Sequence, residues 1–358
     1  LMFSILDRYL IKIIFNATCM TFFVLISLSS LVKLVDELRK IGDDYCSFLM
    51  AFICVISNIP KDIDTFFPIG VLLGTLSGFG LLSRRNELLI IESFGFGYVR
   101  MVAIISKISV FMMFFIIIIS ECIVPLSDQF LYFFRVRLIH NDVNFGIKNN
   151  LWIKNKNDFI FIKQVMNKDE LFHVNIYCFN DEMQLRMIRY AKYALFDGTS
   201  WMLFNVDELN IINMDHIVNS KHPSIVWEVD LQPDIIQASS MKLSSFSVFL
   251  LFNYIKYLDQ NSQFSNFYKL HFWNKIFLPF FSFVMIMFGM SCVLGLFRNM
   301  EMSVRLFFGI IFSFLFYIFD RIWGMLSVMY NIRPVLGMIL SNVIVLVMCG
   351  FVMLCRRF

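Results

Sequence analysis

Apolar residues in this chain run unbroken for about twenty positions at a time instead of marking one face of a helix. Six such runs, at about 13–34, 62–82, 102–124, 276–297, 304–327 and 334–354, reach the roughly 20 residues that a helix needs to cross about 30 Å of hydrocarbon. A shorter run, FLMAFICVISNI (48–59), stops at Pro60, whose ring removes a backbone donor. It predicts an interfacial or re-entrant helix feeding the second span.

Between the third and fourth runs the period changes. FIFIKQV (159–165), HVNIYCF (173–179), QLRMIRYAKYALF (184–196), WMLFNVDELNI (201–211) and SIVWEVDL (224–231) alternate in part. Turn residues separate them at Asn155–Asp158, Asp181–Glu182 and Asp197–Gly198. The pattern predicts an all-β domain, a sandwich or open jelly roll, with its strand order left open. SSFSVFLLFNYIKYLDQ (244–260) then predicts a helix leading to the fourth span. The expected organisation is three spans over 1–135 with a short charged helix at 83–95, a β domain over 136–243, and a juxtamembrane helix with three more spans over 244–358.

Composition makes this a membrane protein. Its 358 residues are 58% hydrophobic and 16% charged, with a mean hydropathy of +0.71, whereas soluble domains are roughly 45–50% apolar. The net charge of +4 needs no nucleic-acid partner, because lysines and arginines flanking the spans account for it. Arg8, Lys12, Arg84, Arg85, Arg100, Arg298, Arg305, Arg356 and Arg357 fall on the side of the N-terminus. Lys33, Arg39, Lys40, Lys61, Arg321 and Arg333 fall on the other. The excess predicts both termini in the cytoplasm and the β domain outside. The first run follows Arg8 and Lys12 and is too long for a signal peptide, so it is expected to be a retained span.

The usual catalytic constellations are missing. There is no G-x-x-x-x-G-K-[ST] to hold nucleotide phosphates, no G-x-S-x-G elbow and no H-E-x-x-H. The eight cysteines are scattered singly without a C-x-x-C pair, and the five histidines are isolated, so no metal or cofactor is expected.

Three features remain. Gly70, Gly74 and Gly78 recur every four residues in the second span, a ladder that lets another backbone approach closely. Packing within the chain, a subunit interface and a sliding gate all use such a ladder. Lys33, Asp36, Glu37, Arg39 and Lys40 cluster at the outer end of the first span, Lys61, Asp62 and Asp64 sit where the second begins, and Arg135 and Arg137 follow the third. Such charges serve as snorkelling anchors, or the positive ones serve as partners for a phosphorylated lipid headgroup. Finally, LLSRRNELLIIESFGF (81–96) predicts a helix capped by Ser83, with Arg84, Arg85 and Glu87 in its first turn, Leu88, Leu89, Ile91 and Phe94 on an apolar face, and Gly95 ending it. It is either an ordinary charged turn or a docking helix for a cytoplasmic partner.

The segments LDRYLIK (6–12), SLSSLVKLVDELRKIG (27–42), NIPKDIDTFFPIGVLLGTLSGFGLLSRRNELLIIESFGF (58–96), WIKNKNDFIFI (152–162), FWNKIFLP (272–279) and FYIFDRI (316–322) resemble the lipopolysaccharide export permease family, LptF/LptG. The resemblance covers essentially the whole chain. It implies a membrane α-helical fold of six transmembrane helices (3 + 3) with an inserted periplasmic β-jelly-roll, in the bacterial inner membrane. It also implies an ABC transporter subunit without catalytic residues. Its partners would be the paralogous permease LptF, a dimer of the ATPase LptB that binds ATP and Mg, LptC, and the periplasmic bridge LptA. The substrate implied is lipopolysaccharide, taken from the outer leaflet and passed towards the outer membrane.

Residue by residue, the resemblance implies that Glu87, Arg84, Arg85, Leu88 and Ile91 belong to an ATPase-coupling helix. It implies that Lys33, Arg39, Lys40, Lys61 and Arg135 face the lipid's phosphates and sugars, and that Phe66 and Phe67 line an acyl-chain cavity. Two positions depart from the family pattern. Arg39 stands where lysine is frequent, and Tyr132 where a second basic residue is expected one turn before Arg135. Export of another lipid or lipoprotein, and a receptor with a ligand-binding β domain, are the alternative functions.

Overall fold

The structure is a computed structural model that describes residues 5–39, 48–94, 98–139, 150–167, 169–213, 216–227, 229, 232–240, 243–294 and 301–355. Helices α1 (Ile5–Arg39), α2 (Phe48–Arg84), α3 (Glu87–Ser93) and α4 (Tyr98–Ile118) come first. A π turn, Ile119–Ile123, joins α4 to α5 (Val124–Ile139). Strands β1 (Leu151–Asn155), β2 (Asp158–Asn167), β3 (Glu170–Phe179), β4 (Leu185–Phe196), β5 (Trp201–Asn213) and β6 (His216–Trp227) follow. Helices α6 (Pro233–Ser240), α7 (Val248–Gln260), α8 (Asn266–Leu294), α9 (Met302–Met329) and α10 (Pro334–Cys355) complete the order. Two compact units result: Leu1–Leu131 with Lys269–Phe358, and Tyr132–Tyr268.

In the second unit all six strands form one antiparallel sheet in the order β1-β2-β3-β4-β5-β6. This is the inserted all-β domain implied by the alternation, built as one open sheet. Ile160, Leu171, Val174, Ile176, Ala191, Trp201 and Leu203 are fully enclosed. The ladder skips one residue per strand along a line through Lys163, His173, Lys192, Asn205 and Pro223. On that line His173 and Asn205 both take φ of +53°, a left-handed conformation that bends alternate strands at the same level.

Two strand assignments needed the structure. β1 was hidden because its residues Lys154 and Asn155 border a turn. β6 starts eight residues before the expected run at 224, and it tolerates Pro223 because it lies at the sheet edge, where a missing donor breaks no interior pairing. α7 belongs by its contacts to this unit. Tyr257 Oη donates to the Lys154 carbonyl at 2.7 Å, and the Lys156 N–H donates to Asn261 Oδ1 at 2.6 Å. Glu208 is a buried carboxylate in the sheet. Burial alone would raise the Glu208 carboxyl, but hydrogen bonds from Arg189 (2.7 Å) and Asn210 (2.8 Å) outweigh it and hold the group below the usual carboxylate range.

The first unit contains helices of another kind. Ile5–Arg39, Phe48–Arg84, Arg100–Leu131, Asn266–Val293, Ser303–Met329 and Pro334–Phe351 are long and apolar enough to cross a membrane. They coincide with the six runs expected from the sequence. Large apolar side chains such as Phe23, Phe114 and Phe314 are 60–75% exposed, which suits hydrocarbon and not water. The short helix expected over 48–59 is not separate, because α2 continues through Pro60 and Pro68. In the turn before Pro60, Ser57 Oγ donates to Ile53 O at 2.9 Å and Asn58 Nδ2 to Cys54 O at 2.8 Å; neither is the Ile56 carbonyl, whose helical donor Pro60 lacks.

Gly70, Gly74 and Gly78 turn towards Phe22, Thr18 and Ile14 of α1, so each step of four along α2 meets a step of four back along α1. Thr21 Oγ1 bridges the seam, donating to Gly70 O at 3.0 Å. A methyl at Gly74 would stand 2.6 Å from the Thr18 Cα, which is backbone and cannot rotate away. A methyl at Gly78 would meet Ile14 Cα at 3.3 Å and Ala17 Cβ at 3.4 Å. Alanine gains about 1 kcal/mol over glycine in a helix, whereas overpacking against backbone costs about 1–3 kcal/mol. Gly78→Ala is therefore expected to leave the melting temperature in detergent unchanged or slightly raised, and Gly74→Ala to lower it by several degrees. Equal behaviour of the two variants in a thermal-unfolding assay would contradict this packing.

Candidate functional site

The α1–α2 pair carries chemistry at both ends. At the end formed by the α2 C-terminus and α3, the chain turns at Arg85 and Asn86. Asn86 adopts φ +57° and donates its N–H to Ser83 O at 3.1 Å. Ser83 therefore lies inside α2 and is not the cap of a new helix, and α3 is seven residues long, shorter than the expected 83–95. Gly95, the expected terminator, lies outside the described residues.

α3 also turns its faces differently from the sequence expectation. Leu88 and Ile91 are buried with Leu82 and Met101 in the core of the first unit, because a seven-residue helix on a bundle must bury its own apolar side. The outward apolar positions are Ile90, 52% exposed, and Phe94, 77% exposed, spaced four apart. Arg84 and Arg85 are exposed. Glu87 is held from two sides: Tyr9 Oη of α1 donates to its Oε2 at 2.7 Å, and Arg85 Nη1 lies 3.8 Å from its Oε1. Tyr9 was not among the residues singled out from the sequence, since 78 positions separate it from Glu87. Nearby, Lys107 of α4 donates to Asp7 of α1 at 3.0 Å.

At the opposite end, lysines meet carboxylates of neighbouring helices. Lys33 of α1 pairs with Asp62 of α2, whose other oxygen accepts from Ser29 Oγ at 3.1 Å. Lys61 Nζ lies 3.5 Å from Asp128 Oδ2 of α5. Lys275 of α8 donates to Ser120 O at 3.0 Å and lies 3.3 Å from Glu121, where the π turn joining α4 to α5 shifts the helical bonding pattern. The sequence marked Lys33 and Lys61 but none of these carboxylates as their partners, and it overlooked Lys275.

Arg39 is exposed at the last residue of α1; Lys40 and the side chain of Arg135 lie outside the described residues. Phe66 is half-buried. Phe67 is fully buried and stacks on Phe22 with ring centroids 5.4 Å apart, so it belongs to the helix seam and offers no surface to a lipid chain. Among the described residues, no group of three or more His, Cys, Asp or Glu side chains is arranged to hold a metal ion.

Comparison with known proteins covers this whole arrangement. The model of a family described as lipopolysaccharide export system permease LptF/LptG matches residues 8–356. The lipopolysaccharide export system permease protein LptG of Escherichia coli strain K12 is 35% identical over 342 residues, spanning 95% of this chain and 95% of its own. The protein of the same description from Haemophilus influenzae is 32% identical over 358 residues, spanning 99% and 100%.

The link from Tyr9 to Glu87 is open to test by itself. Tyr9→Phe removes one hydrogen bond and no apolar contact, so backbone amide exchange over Glu87–Ser93 is expected to accelerate roughly two- to threefold while the sheet is unchanged. Unchanged exchange in α3 would show that the bond does not hold the helix.

Proposed function

The chain belongs to the LptF/LptG family of lipopolysaccharide export system permeases, and on that premise we propose that it is the inner-membrane permease subunit that extracts lipopolysaccharide and passes it to a periplasmic bridge. The observation that carries this reading is the family match across residues 8–356, which takes in both helical sets, the inserted sheet and both ends of the α1–α2 pair. In this reading both termini and α3 are cytoplasmic, and the sheet and the lysine-bearing end are periplasmic. The partners are LptF as the second permease, an LptB dimer that holds ATP and Mg, LptC, and LptA as the bridge.

The work divides by chemistry. Burying acyl chains is worth about 0.8 kcal/mol per CH₂, so a lipid with several chains does not leave the bilayer unaided and the step needs an external energy source. The ATPase supplies it, docking on the segment from Arg84 to Phe94 through Arg84, Arg85, Ile90 and Phe94, with Glu87 as the coupling residue. Glu87 passes the movement to α1 through Tyr9. Because α1 and α2 interlock at their glycines, the pair moves as one element and carries the motion to Lys33, Arg39 and Lys61; these three, with Lys40 and Arg135, are the residues assigned to phosphates and sugars of the headgroup. Phe66 contributes to the surface for acyl chains.

The test is reconstitution of the assembled transporter in phospholipid vesicles. Lipopolysaccharide is expected to stimulate ATP hydrolysis severalfold and a triacylated lipoprotein is not, and Glu87→Ala is expected to strip the ATPase from the purified permease. Stimulation by the lipoprotein alone would reassign the substrate, and ATPase retention by the Glu87 variant would remove that residue from the coupling contact.

A further inference from the structure

We propose that Asp62 and Asp128 are release residues, inward-lying carboxylates that compete with lipid phosphate groups for Lys33 and Lys61. This rests on the reading of those lysines as headgroup contacts. In both ion pairs the carboxylate is the inner partner and the ammonium the outer one. The side chain of Asp62 is 7% exposed against 34% for Lys33, and that of Asp128 is 11% exposed against 26% for Lys61. A phosphate arriving from outside therefore reaches the ammonium first and cannot push the carboxylate aside, least of all Asp62, which Ser29 also holds.

Two consequences follow from this layout. With no lipid bound, each carboxylate neutralises its lysine, so no bare charge faces the surrounding apolar helices. With lipid bound, the ammonium has donors enough for both anions, but carboxylate and phosphate then stand close together in a medium that screens them poorly. Their repulsion limits how tightly the headgroup is held. Acyl burial already supplies strong retention, and a lipid that must be handed on gains nothing from a further unopposed charge contact. The ligand chemistry is a phosphomonoester carried on a lipid; inorganic phosphate shares that chemistry and is separated by the test.

The assembled transporter in phosphatidylethanolamine nanodiscs is titrated with bisphosphorylated lipid A, with the same lipid A after removal of its phosphates, and with inorganic phosphate as competitor. Asp62→Asn is expected to tighten binding of bisphosphorylated lipid A by roughly three- to tenfold and to slow its dissociation correspondingly, with the dephosphorylated lipid unaffected. The gain is expected to vanish in the Lys33→Gln, Asp62→Asn double variant, an outcome that a merely structural role for Asp62 does not produce. Asp128→Asn makes the same test at Lys61 and serves if Asp62→Asn fails to assemble. Weaker or unchanged binding in the carboxylate variants overturns the proposal while leaving the lysine contacts standing. Equal binding of phosphorylated and dephosphorylated lipid by the wild type overturns the lysine contacts and the proposal together. Displacement of lipid A by equimolar inorganic phosphate would assign the lysines to the free ion and likewise overturn it.

Discussion

The close approach of α1 and α2 at Gly70, Gly74 and Gly78 is the constraint on which both ends of the helical unit depend. Lipid offers no hydrophobic drive for helices to associate, so contact between them rests on packing and on polar bonds such as that from Thr21 to Gly70. The register set by Phe22, Thr18 and Ile14 against the three glycines also brings Lys33 to Asp62 at one end and Tyr9 to Glu87 at the other. A methyl at the middle of the seam would force the helices apart, and both end contacts would be lengthened with it.

Charge is placed where it ties helices together without being lost to the interior. Lys33–Asp62, Lys61–Asp128, Lys107–Asp7 and Lys275–Glu121 each join two different elements, and each combines an ammonium with a carboxylate that would be costly to leave alone among apolar helices. Lys33 and Lys61 remain partly accessible while their carboxylate partners are nearly enclosed. At the end bearing α3, Ile90 and Phe94 are exposed, as are Arg84 and Arg85.

The spans were legible because a run of about twenty apolar residues has one physical explanation. The sheet was legible in β2 to β5, where alternation is strong, and poorly legible in β1 and β6, where short length and an exposed, polar edge leave little pattern to detect. Pro60 misled: it does not end the helix, because the packing of α2 along α1 outweighs the loss of one backbone donor. Leu88 and Ile91 misled for a different reason: periodicity marks an apolar face but does not say what covers it, and here the chain's own core does. The carboxylate partners of Lys33 and Lys61 and the Tyr9–Glu87 bond join residues 29 to 78 positions apart or lie on other helices, so no local spacing could have paired them.

Whether α1 and α2 move as one element or slide past each other is decided by locking them. Ala17 Cβ lies 3.4 Å from the position of a Cβ at Gly78, close to the roughly 3.8 Å that a disulfide spans. Ala17→Cys with Gly78→Cys, in a chain whose Cys19 is replaced by serine, places a bond across the seam. Lipopolysaccharide-stimulated ATP hydrolysis and lipid release in the oxidised transporter are expected to match those of the reduced one. Loss of both on oxidation, restored by a reductant, would mean that the two helices slide during transport and would contradict their role as a single rigid element.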